Sequence, residues 1–372
     1  MNIKFNVPYI QGDELTFVQQ AMNKGKLSGN GEFSAYCQTF LAEKYGFGKC
    51  LMTHSCTGAL EMIGILIDIQ PGDEIIIPSY TFVSTANAFM LRGAVIKFVD
   101  SKSTHPNMDE EQIEQLITPK TKAIVCVHYA GYPCDLSKLR ALCDAHKIYL
   151  IEDAAQAIHS FHHTPTGKKL PAGSIGDFAA FSFHDSKNIQ CGEGGMLVVN
   201  NLRFFERADV IWEKGTNRSL FMKGQINRYE WIDIGSSFLM SELHAAFLTA
   251  QLKSIEEITQ KRQQLWTKYH ELLQTNSMLS IPAINEQGNA HIFFVICQSE
   301  QQRTNLIQLL TLHNVQTATH YQSLSSAKVH KQPYVCEHAS FYQDRLLRLP
   351  LHVDLTLNQV ESICEVIETT KE

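Results

Sequence analysis

Residues 121–153 read TKAIVCVHYAGYPCDLSKLRALCDAHKIYLIED, and this stretch decides the fold class. TKAIVCVHY (Thr121 to Tyr129) is a near-continuous apolar run, LSKLRALCDAHK carries its apolar residues at helical spacing, and IYLIED (Ile148 to Asp153) is a second apolar run ending on carboxylates. Strand, helix, strand makes one βαβ unit. Strands that are apolar throughout, instead of alternating with polar residues, are buried on both faces, as in a parallel sheet covered by helices on each side. The pattern continues outward. TGALEMIGILIDI (Thr57 to Ile69) is helical and stops at Pro71-Gly72, DEIIIPSYTF reads as a strand, NAFMLRGA as a short helix, VIKFVD (Val95 to Asp100) as a strand, and DEEQIEQLI as a helix. Phe178-Ala179-Ala180-Phe181 leads inward as a further buried strand. The expected class is α/β, a largely parallel sheet sandwiched by helices.

After about Ser241 the rhythm changes. The long helical run SELHAAFLTAQLKSIEEITQKRQQLWTKYHELLQ is followed by one strand, AHIFFVIC (Ala290 to Cys297), a helix, RTNLIQLLTLHN, and a terminal helix, LNQVESICEVIETT. The expected organisation is a large domain over residues 1–245 and a smaller C-terminal α+β domain over 246–372.

Composition narrows the partners. A net charge of -6 over 372 residues, with no basic run of five, gives no support to a nucleic-acid partner or an anionic membrane surface. No stretch approaches the roughly 18 uninterrupted apolar residues of a membrane span, and MNIKFNVPYIQGDEL lacks the apolar segment of an export signal. The ten cysteines form no CxxC pair and read as reduced thiols. A cytoplasmic protein acting on small molecules is expected.

In parallel sheets ligands gather at the carboxyl ends of the strands. Asp153 ends one strand there, although an Asp before Ala-Ala is also good helix-cap chemistry. Lys187, in SFHDSKNIQCGEGG (Ser182 to Gly195), follows another strand and can converge on the same crevice. That pair is what pyridoxal 5'-phosphate requires: a lysine to hold it covalently and an aspartate to keep its ring nitrogen protonated. Ser55-Cys56-Thr57 opens a helix, whose free N–H groups and dipole favour a phosphate, as would any Ser/Thr cap. Phe82 is placed to lie on a ring, or to be core.

The ordered set HSCTGALE, PGDEIIIPSYTFVSTANAF, FVD, VHYAG, IEDAAQA, GDFAAFSFHDSKNIQCGEGGMLV and MSELHAA resembles the sugar-nucleotide aminotransferases of the DegT/DnrJ/StrS family, which have the pyridoxal-phosphate-dependent transferase fold type I. The likeness runs from NVPYIQGDE to LLRLPLH, nearly the whole chain. It implies that Lys187 holds the cofactor, Asp153 pairs with its ring nitrogen, Gln156 contacts its phenolic oxygen, Phe82 stacks on it, and Cys56, Thr57 and Ser182 cradle its phosphate. It also implies a homodimer whose active sites lie at the subunit interface. Where many members read GYNYRMSEL this chain reads GSSFLMSEL, so Ser237 takes the position of an Asn that reaches the neighbouring subunit's phosphate and Leu239 that of an Arg, which weakens that contact.

Within the family, EKGTNRS (Glu213 to Ser219) and YEWIDIGSSFLMS resemble the branch that serves enterobacterial common antigen. That branch converts dTDP-4-keto-6-deoxy-D-glucose and L-glutamate to dTDP-4-amino-4,6-dideoxy-D-galactose and 2-oxoglutarate. The alternatives are another nucleotide-linked keto sugar (a 3-keto sugar, or the gluco epimer as product) or a non-transaminase pyridoxal-phosphate sugar enzyme. The related dehydratases carry histidine in place of Lys187. A non-catalytic protein of this fold would lack Lys187 or Asp153, and both are present.

Other signals have plainer readings. His159, His162 and His163 are close in sequence, but SFHHTPTGKK, which follows His159, reads as a β-turn loop, and no metal is expected. CGEGG fits neither GxGxxG nor GxxxxGK[ST]. His184 is a candidate substrate contact or a packed strand-end histidine. Lys214 and Arg218 are candidates for the diphosphate of a nucleotide sugar, against solvated surface charge. In THYQSLSS, Ser325 stands where the family usually has a histidine, so a substrate role there is in doubt.

Overall fold

The apolar runs assemble, in a computed structural model that describes residues 2–284, 286–330 and 335–369, into a seven-stranded sheet. Its strands come from β1 Lys49–Thr53, β2 Glu74–Pro78, β3 Val95–Val99, β4 Thr121–Val127, β5 Tyr149–Asp153, β8 Phe178–Ser182 and β9 Gly195–Val199, while β6 Phe161–His163 and β7 Lys169–Pro171 form a separate hairpin. The order is β1-β9-β8-β5-β4-β2-β3. All neighbouring pairs are parallel except those of β9, which runs antiparallel to β1 and β8.

Successive residues of each strand point to opposite faces, and both faces are covered. Ile75, Ile77, Val125, Ile151, Ala180 and Leu197 pack with Ala59, Leu60 and Ile63 of the helix Cys56–Leu66. On the other face Ile76, Ile124 and Leu150 meet Leu136, Leu139 and Cys143 of the helix Leu136–His146. Alongside them Ala179, Phe181, Met196 and Val198 meet the helices Glu32–Tyr45 and Glu242–Lys253. This is why the strands lack alternation.

Three expectations change. DEEQIEQLI forms two short 3₁₀ turns, Glu110–Gln112 and Glu114–Leu116, not an α-helix. Of its apolar residues only Ile113 is fully buried, and Pro119 forces the chain extended just beyond, so little tertiary packing holds a helix there. The helix read from NAFMLRGA begins earlier, at Val83, and the strand before it ends at Pro78. The run beginning at Ser241 is two helices, Glu242–Lys253 and Ile255–Leu273, broken at Ser254, whose φ of -107° and ψ of 16° leave the helical region.

The C-terminal part builds a three-stranded antiparallel sheet, in order β10-β11-β12, from β10 Leu279–Ser280, β11 Phe293–Cys297 and β12 Leu346–Leu349. The terminal helix is Leu357–Glu368, opened by a capping box between Thr356 and Gln359; Thr370 of the expected helix lies outside the described residues. Tyr80 packs edge to face on Tyr129, and Tyr342 and Phe294 pack against them at a tilt, so that one aromatic cluster joins the two sheets.

Candidate active site

A cavity of about 620 Å³ opens at the carboxyl ends of β4, β5 and β8. Cys56, Thr57, Phe82, Asp153, Gln156, Ser182, His184 and Lys187 all line it. The structure thus brings together eight of the residues singled out from sequence.

The floor is the start of the helix Cys56–Leu66. Ser55 is its N-cap, its Oγ accepting from Gly58 N at 3.0 Å, and the N–H groups of the first turn have no intrahelical acceptor. Thr57 Oγ1 donates to Ser84 Oγ at 2.8 Å, adding hydroxyls to those amides. β9 approaches this turn so closely that a Cβ on Gly195 would collide with the backbone of Ser55 and Cys56. Only glycine leaves the amides open to an anion.

Asp153, at the end of β5, is 5% exposed. Thr85 Oγ1 donates to its Oδ2 at 2.8 Å and Ala155 N to its Oδ1 at 3.2 Å. Burial, the strongest influence, pushes its carboxyl above the ordinary value, while these hydrogen bonds and the charge of Lys187 pull it down. A carboxylate so desolvated calls for a cation or a charged N–H donor.

Lys187 sits in the turn between β8 and β9, where Lys187 N donates to His184 O at 2.9 Å. Its neighbour Asn188 ties the turn to the C-terminal part, through Asn188 Nδ2 to Asn289 O at 3.0 Å and Asn188 Oδ1 to His291 Nδ1 at 2.8 Å. Burial lowers the pKa of Lys187, opposed by Cys56 and Asp153 and reinforced by Arg348. More of it is therefore free base near neutrality, as a nucleophile or proton carrier needs. Gln156 is held by Ala130 N donating to its Oε1 at 2.7 Å, and its Nε2 donates to Tyr321 Oη at 2.9 Å. Phe82, 56% exposed, presents its ring to the cavity.

Arg348, His320, Tyr321 and Phe5 also line the cavity and were not singled out from sequence. Conversely, three expected residues lie outside this chain's cavity. Ser237 is exposed and bridges to Glu213, Lys214 is exposed, and Arg218 Nη1 donates to both oxygens of buried Glu213, at 3.1 and 2.9 Å. His184 keeps local company, with Nδ1 2.8 Å from Ser186 Oγ. Ser325 is buried and hydrogen-bonded to Ser323 and Ser79.

His159 and His162 have separate partners: His159 Nδ1 pairs with Tyr45 Oη and His162 Nε2 with Ser137 Oγ. A different cluster, Cys126, His128 and Cys134, does converge, with ligand atoms within 4.8 Å of one another. Its spacing matches no zinc pattern, which hid it. Both imidazole nitrogens are engaged, Nε2 with Glu152 Oε2 at 3.0 Å and Nδ1 accepting from Cys134 N at 3.3 Å. Through His128, which pairs with Glu152 and donates its N–H to Asp153 O, the cluster ties the ends of β4 and β5 together.

Doubly covered parallel strands, a lysine and an aspartate facing one cavity, and a glycine-cleared helix N-terminus define an aminotransferase of the pyridoxal-phosphate fold type I. The chain belongs to the DegT/DnrJ/EryC1/StrS aminotransferase family, whose model matches residues 8–368. Among solved structures it is similar to the aminotransferase TlmJ from Streptoalloteichus hindustanus, at 26% identity and a TM-score of 0.91, covering 99% of this chain and 98% of that one. It is also similar to PseC of Helicobacter pylori, an aminotransferase of pseudoaminic acid biosynthesis, at 23% identity and 0.91, covering 100% and 99%. The PLP-form of the putative sugar aminotransferase Spr1654 from Streptococcus pneumoniae matches at 24% identity and 0.90, covering 99% and 98%. Among the described residues, no helix is long and apolar enough to cross a membrane.

Proposed function

We propose that the protein is a cytoplasmic sugar-nucleotide aminotransferase that moves the amino group of L-glutamate to C4 of dTDP-4-keto-6-deoxy-D-glucose, giving the galacto amino sugar and 2-oxoglutarate. The observation that carries the aminotransferase is the convergence of Lys187, Asp153 and the Cys56 helix turn on one cavity. What supports the particular sugar is the sequence of EKGTNRS and YEWIDIGSSFLMS.

Bound there, pyridoxal phosphate supplies an electron sink and carries one amino group between two half-reactions. The N–H groups of Cys56 and Thr57, with the Ser182 hydroxyl, would hold its phosphate. Asp153 would keep its ring nitrogen protonated, and Phe82 would cover the ring. Lys187, freed by the incoming amine, takes the proton from the donor Cα and in the second half delivers one to C4 of the sugar. The face from which Lys187 delivers it sets the C4 configuration. Donor and acceptor use the same cavity in turn, so ping-pong kinetics are expected.

The substrate assignment is tested by incubating the purified protein with dTDP-4-keto-6-deoxyglucose and glutamate and determining the product by mass and proton NMR couplings. An axial C4 amine is expected. An equatorial amine, or no product although glutamate alone converts the cofactor to its pyridoxamine form, would reassign the sugar.

The reading includes a homodimer. Met222, Trp231, Ile232 and Ile234 are 68, 79, 54 and 59% exposed on the segment that also carries Arg218 and Ser237. Such a patch is expensive to leave in water, and a second copy would cover it. Sedimentation should give a dimer for the wild type and a monomer for Trp231→Glu; a wild type that stays monomeric at micromolar concentration would remove the dimer from the proposal.

A further inference from the structure

Cys126, His128 and Cys134 come from one stretch, CVHYAGYPC, residues 126–134. Cys126, near the end of β4, and His128, just past it, are two residues apart and face the same way, opposite to Val127, which lines the cavity of Lys187. The chain then turns back through Ala130 and Gly131, both left-handed at φ of 58° and 82°, and brings Cys134 against them. The cluster is sealed: Cys126 and His128 are 0% exposed and Cys134 is 2% exposed. The chemistry proposed at Lys187 uses none of the three.

The imidazole is already oriented as a metal ligand. Glu152, also fully buried, holds His128 Nε2 at 3.0 Å and accepts from Gly173 N, Ile175 N and Gly176 N at 2.6, 2.9 and 2.6 Å. A carboxylate so supplied with donors stays charged and keeps the ring proton on Nε2, which leaves the Nδ1 lone pair on the side of the thiols. Nδ1 receives there only Cys134 N, at 3.3 Å, longer than an ordinary hydrogen bond and correspondingly weak.

One imidazole nitrogen and two sulfurs are the donor set of a thiophilic cation. Tetrahedral zinc, with bonds of about 2.0–2.3 Å, separates such ligands by roughly 3.5–3.8 Å. The three ligand atoms lie within 4.8 Å of one another, so the site closes with shifts of at most about 1 Å. Val127 O, which accepts from Cys134 Sγ at 3.3 Å, is at hand as a fourth donor. Charge selects the ion. Two thiolates neutralise a divalent cation, whereas with monovalent copper they leave a net negative charge beside Glu152 in a sealed site, which is costly.

We propose that Cys126, His128 Nδ1 and Cys134 form a structural zinc site, whose filling releases the two thiol protons to solvent. It stands independently of the aminotransferase reading. Its place gives it a purpose: Glu152 precedes Asp153, and His128 N donates to Asp153 O at 3.2 Å, so the metal would stiffen the strand end that presents the aspartate. Because the site is closed, the ion enters as the chain folds.

Protein produced in zinc-supplemented medium, loaded with pyridoxal phosphate and passed over a chelating resin, should keep about one zinc per chain by elemental analysis, as one closed site requires. X-ray absorption at the zinc edge should show two sulfurs at about 2.3 Å and nitrogen or oxygen at about 2.0–2.1 Å. Cys126→Ser and Cys134→Ser should each lose that zinc by at least about 10-fold, the least that even a partner behind the ligands contributes. Cys143→Ser, which removes a buried thiol on the same face but outside the cluster, should keep it. Wild type made without zinc should melt lower than the zinc-loaded protein, while each of the two depleted variants melts alike from either medium. Less than about a tenth of a zinc per chain in wild type, far short of one closed site, overturns the proposal. So does zinc retained by both Cys126→Ser and Cys134→Ser, or an absorption spectrum with oxygen and nitrogen ligands alone, which would assign the metal to surface side chains. Should the serine variants fail to fold, the wild-type spectrum decides.

Discussion

Lys187→Ala holoprotein should lose turnover by about 10⁴-fold, the upper end of what a positioned base contributes, and should lose the absorbance of covalently held cofactor. Lys187 is the only lysine that lines the cavity among the described residues, so no neighbour substitutes for it. The variant should still fold, and the pH dependence of its stability shows why. Burial lowers the pKa of Lys187 in the folded chain below its unfolded value. Charging it therefore costs stability, fully so below the folded pKa, and the cost disappears as pH rises past the unfolded value near ~10.4. Cofactor-free Lys187→Ala should then melt no lower than cofactor-free wild type at neutral pH, with the gap closing on the alkaline side. A yellow, active variant would remove Lys187 from the chemistry. An inactive variant that also melts many degrees lower would assign the lysine to structure.

How much of this was legible in the sequence depends on how local each signal is. The βαβ stretch from Thr121 to Asp153 folds as its periodicity indicates because strands buried on both faces leave an unmistakable apolar run. DEEQIEQLI had the spacing of a helix but not the packing, and spacing alone does not hold nine residues. Lys187, Asp153 and the Ser55 cap stand beside glycines and strand ends, and could be singled out one segment at a time. Arg348 could not. An arginine between leucines in LLRLPLH reads as the solvent side of an edge strand. Here that residue lines the cavity together with Val127 and Asp153 from the ends of β4 and β5, which only the tertiary fold makes visible. His320 is concealed in the same way. Arg218 is the opposite case: its motif suggests a phosphate contact, and within one chain its guanidinium pairs with Glu213, five residues away, as in any surface pair.

Asp153→Asn tests the other half of the proposed Lys187–Asp153 pair, and the expected result is an enzyme that keeps its fold and some cofactor but loses rate by roughly 10²–10³-fold, as when one preorganised electrostatic partner is removed. The amide is the same size, and its oxygen can still accept from Thr85 Oγ1 or Ala155 N. What it cannot do is hold a proton on the ring nitrogen of the cofactor, so the electron sink weakens while the geometry stays. Stability separates this from simple damage. The carboxyl of Asp153 is raised by burial, so in the cofactor-free protein its ionisation opposes folding. That penalty is absent below the unfolded pKa near ~3.9 and grows as pH rises through the folded value. Cofactor-free Asp153→Asn should accordingly be as heat-stable as wild type or more so at pH 7, and the difference should vanish on acidification. With cofactor bound the order reverses, because the ring cation then stabilises the ionised aspartate and wild type alone gains from it. A variant with full activity would displace the ring from Asp153, whereas one that is slow, well folded and poorly retentive of cofactor is what a carboxylate facing a pyridinium requires.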